Sequence, residues 1–120
     1  MHALIIEDEA MIATELEYLL AKCGFTSFDF AVSSAEAVDC ALIRCPDLIT
    51  ADVNLQPGNG IDAVNAICAG PKIPVLFITG NGSEVQQRMP GHALLQKPFS
   101  ASALVTAVQS LLLDCSPRPA

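Results

Sequence analysis

The sequence predicts an α/β fold, a five-stranded parallel sheet with helices on both faces. Three observations lead there. Five short apolar runs recur along the 120 residues. A helical pattern follows each run. Three of the runs are apolar almost throughout, as strands covered on both faces must be.

Ala3–Ile6 is the first strand. In Ala10–Cys23, the residues Ile12, Leu16, Leu19, Leu20 and Cys23 mark one face at helical spacing, and Gly24 supplies the stop. Ser27–Ala31 is the second strand, with Phe25, Phe28 and Phe30 around it as core or edge packing. Ser33 and Glu36 make a capping box for a helix ending near Cys45, ahead of Pro46. Asp47–Ala51 is the third strand. Ile61–Cys68 is a shorter helix stopped by Gly70-Pro71. Ile73–Ile78 is the fourth strand and leads into Thr79. Gly80, Gly82, Pro90 and Gly91 oppose helix in the next segment, so the fourth helix is shortened to a piece around Glu84–Met89. Ala93–Gln96 is the fifth strand, and Ser100 caps a last helix through Leu113. Strand and helix alternate five times, which predicts right-handed crossovers and the flavodoxin-like (βα)5 order 2-1-3-4-5.

Composition narrows the class. Asp+Glu number 13 against 6 Lys+Arg, for a net charge of −7. That balance argues against direct nucleic-acid binding, which needs clustered Lys and Arg. No apolar run approaches the roughly 18–20 residues of a membrane span. Glu7, Asp8 and Glu9 interrupt any signal peptide, so a soluble cytoplasmic domain is expected. The 5 cysteines are odd in number. None has CxxC spacing, which reads as small buried hydrophobes in a reducing compartment rather than a zinc site or disulfide framework. Cys115, near the end, is the one expected to react. Residues 1–114 are expected to be one domain and residues 115–120 a disordered tail.

Ligands in such sheets bind outside the carboxyl ends of the strands, at the switch point between strands 1 and 3. Glu7 and Asp8 follow the first strand, and Asp52 follows the third. Thr79 ends the fourth, with Gly80 after it. Lys97, then Pro98, follows the fifth. Each has an ordinary explanation taken alone: helix-terminal acids, a loop cap, a strand-to-turn step, a surface lysine. Together they put three carboxylates, a hydroxyl and an ammonium on one edge. Crowded carboxylates repel. A divalent cation resolves the conflict, and oxygen ligands select magnesium or calcium.

The segments LIIEDEA, LITADVNL, LFITG and LLQKPF, in this order from about Ala3 to Leu113, resemble the receiver domain of two-component response regulators. The resemblance implies a mechanism. Asp52 would accept a phosphoryl group from a histidine kinase or histidine phosphotransfer protein. Asp8, Asp52 and the backbone carbonyl of Asn54 would ligate Mg²⁺, with Glu7 acting directly or through water. Thr79 and Lys97 would bind phosphoryl oxygens, and Lys97-Pro98 would be a cis peptide. Gly60 matches a family turn glycine that tolerates no Cβ. The chain would then be a single-domain signalling protein, stand-alone or excised from a longer one, and not an enzyme beyond its own phosphorylation and dephosphorylation.

Three departures qualify the match. Glu7 replaces the commoner Asp. Gln56 stands where the family often has Pro, with Pro57 after it, so the loop is expected to follow a slightly different path near the metal. Leu94 takes the place of the switch aromatic, so the Thr-to-aromatic rotamer switch cannot work in its usual form. FITGNG and the short segment after it resemble the FAT-GUY type of receiver, associated with general-stress signalling in α-proteobacteria.

A degenerate receiver serving only as a docking module would not need the intact acids, Thr79 and Lys97. A small Mg²⁺-dependent phosphohydrolase commonly has a second acid two residues after its nucleophile, where this chain has Asn54. An FMN protein needs a phosphate loop after strand 1, where acids stand here. His92 reads as a loop residue and His2 as inert. Met11 and Tyr18 lie off the core stripe of helix 1, and Met11 suits a kinase-docking surface as well as incidental exposure. Phe99 is expected to anchor the site loop. The wide apolar stripe of the last helix (Leu104, Val105, Ala107, Val108, Leu111, Leu112, Leu113) suggests homodimerisation through helix 5 with helix 1 or strand 5.

Overall fold

The computed structural model describes residues 1–55, 58–80 and 82–115. Five strands alternate with five helices: β1 (His2–Ile6), α1 (Ala10–Lys22), β2 (Ser27–Ala31), α2 (Ser34–Ile43), β3 (Leu48–Ala51), α3 (Gly60–Ile67), β4 (Val75–Thr79), α4 (Gly82–Arg88), β5 (Ala93–Gln96) and α5 (Ala101–Cys115). All pairings are parallel and the order is β2-β1-β3-β4-β5, as predicted.

Alternation along the buried strands sorts side chains to two faces. Leu4, Ile6, Ile49, Ala51, Val75 and Phe77 meet α2, α3 and Val85 of α4. Ala3, Ile5, Leu48, Leu76 and Ile78 meet Leu16, Leu19 and Leu20 of α1 and Leu104 and Val108 of α5. The edge strand β2 is only half-buried, and Phe30 is 45% exposed.

Local chemistry sets the boundaries. Gly24 ends α1 at φ +103°. Gly24 N–H donates to Ala21 O and Phe25 N–H to Leu20 O, both at 3.2 Å. That is a Schellman stop, and Phe25 is buried beyond it. Strand β4 begins at Val75, later than Ile73, because Pro74 has no N–H to give a ladder; its carbonyl still accepts from Ile49 N–H at 3.0 Å. Helix α4 has 7 residues, as the glycines and Pro90 foretold. Helix α5 runs to Cys115, one residue into the expected tail. The rest of that tail, and the expected change of path at Gln56 and Pro57, lie outside the described residues.

The apolar stripe of α5 mostly faces inward. Leu104 and Val108 are buried, Ala107, Leu111 and Leu112 pack on the same core, and Leu113 is 70% exposed. His2 is not inert. It is buried, with Nδ1 2.8 Å from Ser27 Oγ and Nε2 2.9 Å from Asp29 Oδ2. It holds the amino end of β1 against β2, far from the carboxyl edge.

Candidate functional site

The parallel sheet brings the carboxyl ends of β1, β3, β4 and β5 to one edge, where the predicted residues meet. Asp52 N–H donates to Ile6 O at 2.9 Å, and Glu7 N–H to Ala31 O at 2.9 Å. The ladder thus continues one residue past each strand and fixes both carboxylates at the rim. Glu7 and Asp52 are 3% and 5% exposed, and Asp8 beside them is exposed. One carboxylate oxygen from each of Glu7, Asp8 and Asp52 lies within 4.8 Å of the others.

Lys97 enters from the end of β5. Its Nζ is 2.9 Å from Glu7 Oε1, 3.0 Å from Asp52 Oδ2 and 3.5 Å from Glu9 Oε1. Its backbone N–H donates to Thr79 O at 3.0 Å, which ties β5 to the end of β4. The Lys97-Pro98 peptide is cis, as expected. Thr79 is wholly buried at that end. Phe99 is partly buried against the α1/α5 core.

The electrostatics follow from crowding acids at a buried rim. Burial pushes the Glu7 carboxyl up to about 7, and the Asp52 charge adds to it, against the pull of the Lys97 ammonium and the Glu9 N–H. Burial pulls Lys97 the other way, but its bonds to Glu7 and Asp52 outweigh that and raise its pKa, so it stays charged. The 2.9 Å Lys97–Glu7 contact is an ion pair whose angle is poor for a hydrogen bond, so the buried Glu7 Oε1 is only partly satisfied. An all-oxygen donor set with one such oxygen suits a hard divalent cation.

Gly60, the first residue of α3, sits against the Asp52 backbone. A Cβ there would overlap Asp52 O and lie 2.8 Å from Asp52 C. Gly60 N–H also donates to Val53 O at 3.0 Å. Asn54 is exposed, and its N–H donates to Asp52 Oδ1 at 3.2 Å. Leu94 packs beside the first turn of α4, where a Cβ on Gly82 would approach its Cδ2 to 2.7 Å.

The site holds groups that sequence reasoning missed. Glu9 is the third carboxylate on Lys97. Asn59 caps α3 and reaches Glu84 on α4. An Asn directly before a helix start is a capping signal, but nothing in the sequence says which helix its other end would meet. Met11 and Tyr18 lie outside the site, 86% and 61% exposed on α1, with Lys22 Nζ 4.5 Å over the Tyr18 ring. His92 is exposed, its ring edge-on to Phe77 at 6.0 Å.

Comparison with known proteins bears on this geometry. The family model described as the response regulator receiver domain matches residues 3–109. The phyllosphere-induced regulator PhyR of Methylorubrum extorquens is 40% identical over 120 residues, covering 96% of this chain and 45% of the relative. The solution structure of the Erythrobacter litoralis PhyR receiver domain superposes with a TM-score of 0.90 at 31% identity, covering 99% of this chain and 95% of that one. A crystal structure of PhyR from Bartonella quintana, described as an anti-anti-sigma factor, gives a TM-score of 0.80 at 32% identity, covering 94% of this chain and 47% of that one. The chain spans about half the length of the first curated relatives it matches, 54% and 45%.

Proposed function

The chain belongs to the response regulator receiver family, and from that membership we propose that it accepts a phosphoryl group on Asp52 from a phosphohistidine donor and signals through protein contact. The observation that carries the proposal is the ring of Glu7, Asp8, Asp52 and Lys97 on one sheet edge. The donor is a histidine kinase or histidine phosphotransfer protein, which puts the exchange in the cytoplasm.

In the transfer, an Asp52 carboxylate oxygen attacks phosphorus. The P–N bond to the donor imidazole breaks, and the ring nitrogen leaves with the electron pair and takes a proton. The product is an acyl phosphate. Positioning and charge neutralisation do most of the work. Lys97, 3.0 Å from Asp52, is placed to meet one phosphoryl oxygen, and the Thr79 hydroxyl another. Asn54 N–H orients the Asp52 carboxylate through Oδ1. Glu7, Asp8, Asp52 and the Asn54 carbonyl would hold Mg²⁺, which supplies neutralisation of the carboxylates and phosphoryl oxygens when bound.

The FAT-GUY-like departures and the PhyR relatives support general-stress signalling as the setting and a regulator of a sigma factor as the kind of protein acted upon. For homodimerisation, α5 offers exposed Leu113 and partly buried Val105.

Intact mass after incubation with acetyl phosphate and Mg²⁺ tests the core of the proposal. Wild type should gain one phosphoryl group, and Asp52→Asn none. Equal labelling of both proteins would move the acceptor elsewhere. Turnover of small phosphomonoesters would favour the phosphohydrolase, and an unlabelled wild type the docking module.

A further inference from the structure

A continuous set of bonds joins the acceptor loop to α4, and Asn59 stands at its centre. Its backbone pairs with Asn54 in an isolated antiparallel bridge. Asn54 N–H in turn holds Asp52 Oδ1 at 3.2 Å. The Asn59 side chain is engaged at both ends. Its Oδ1 accepts from Ile61 N–H at 2.7 Å, capping α3, and its Nδ2 donates to Glu84 Oε2 at 3.1 Å. Only this orientation of the amide satisfies both partners. Arg88, one turn further along α4, donates to the same Glu84 oxygen at 3.1 Å and to Asp62 Oδ1 of α3 at 2.7 Å. The ring from α3 to α4 and back is closed.

Val85 seats α4 in the core, with Met89 and Leu94 packed beside it. The helix is two turns long, and Gly82 and Val85 are its buried residues. Leu94, at the position of the missing aromatic, packs against Gly82 with an apolar side chain that carries no polar group to follow a phosphoryl-bound Thr79. Through the Asn54–Asn59 bridge, a shift of the Asn54 backbone on ligation would carry over to Asn59. The Asn59–Glu84 bond would pass that shift to α4.

We propose that Asn59 and Glu84 are positioning residues that couple the state of the Asp52 site to the placement of α4, replacing the threonine–aromatic relay. This deepens the receiver reading and rests on it.

Amide ¹H–¹⁵N spectra recorded with and without Mg²⁺ and beryllofluoride, a phosphoryl mimic, test the coupling. Asn59→Ser keeps a capping oxygen but is too short to reach Glu84. Glu84→Ala removes the acceptor. In wild type, signals from Asp52 and Val53 and from Val85–Arg88 should all move. In each single variant the Asp52 and Val53 shifts should persist while the α4 shifts fall about threefold or more. Glu84→Ala also removes the Arg88 bond to Glu84, so the double variant should lose no more than Glu84→Ala alone, both lacking the Asn59–Glu84 bond. Full α4 shifts in both single variants would overturn the coupling. So would loss of the Asp52 shifts in Asn59→Ser, because Asn59 would then be a structural support of the loop. A wild type that neither gains mass from acetyl phosphate nor shifts at Asp52 removes the receiver reading, and the coupling with it.

Discussion

Burial leaves Glu7 3% exposed and pushes its carboxyl up to about 7. A protonated acid is a poor cation ligand, so Mg²⁺ should bind more tightly as pH rises through that value and should displace a proton below it. Titration calorimetry of Mg²⁺ at about pH 6, in buffers of different ionisation heat, should show proton release that fades by about pH 8. Heats independent of the buffer at the lower pH would mean that Glu7 is already ionised. The sign for folding without Mg²⁺ is the reverse. Between 4.5 and about 7 the folded chain holds a proton at Glu7 that the unfolded chain has lost, so this site's contribution falls as pH rises across that window. Gly60 raises a steric question instead. A Cβ would overlap Asp52 O, and backbone cannot swing aside as a side-chain tip can. Gly60→Ala should cost about 1–3 kcal/mol and slow phosphoryl uptake. Urea unfolding beside the labelling assay checks both, and wild-type values in the two would mean the α3–β3 junction gives way freely. Glu7, Asp8, Asp52, Thr79 and Lys97 were legible in the sequence, because strand ends and the switch-point rule place them without side-chain geometry, and Gly60 was legible through the family resemblance. Glu9, Asn59 and Glu84 were not, because their roles depend on which loop faces which helix.

At the scale of elements, local signals found every strand and helix, and the small errors have local causes. Pro74 delays β4 by two residues. The α2 capping box forms with a shift: Ser33 Oγ accepts from Glu36 N–H at 3.2 Å, while Glu36 Oε1 reaches back to Val32 N–H at 2.8 Å rather than to Ser33. Ser33→Ala should therefore cost about 1 kcal/mol in urea unfolding and leave phosphoryl uptake unchanged. A neutral result would mean that the Glu36 arm alone holds the turn. The apolar width of α5 also has a packing cause. A helix packed on both an inner sheet and a neighbouring helix needs a wider stripe than one packed on a sheet alone. Here α5 covers β4 and β5 and also touches α1. The short α4 was legible as an absence of good helix residues. The clasp that fastens it to α3, through Arg88, Glu84 and Asp62, was not, since each is an ordinary surface charge in the sequence.

For the whole molecule, the fold concentrates opposing charges at one rim and covers both faces of the sheet with separate apolar cores. The cores offer no cation ligands, and the rim offers three carboxylates. Among the described residues, Glu7, Asp8 and Asp52 form the cluster able to hold a metal, and the lysine that partly neutralises it comes from the far end of the sheet. The unfolded chain scatters these groups, so a cation that binds the rim binds the folded state selectively and must raise global stability. For one site at about a hundredfold excess over its dissociation constant, the gain is about 2.7 kcal/mol. Wild type should gain this much from Mg²⁺ in urea unfolding. Asp8→Asn, whose side chain is exposed and bears on no core contact, should keep its stability without Mg²⁺ and lose most of the gain. Asp8 is the better probe than Asp52 or Glu7, because removing either of those also strips Lys97 of a partner and changes the baseline. If the stabilisation by Mg²⁺ survives intact in Asp8→Asn, the ion does not sit at this rim, and the charge-neutralising step of the phosphoryl transfer has to be found elsewhere.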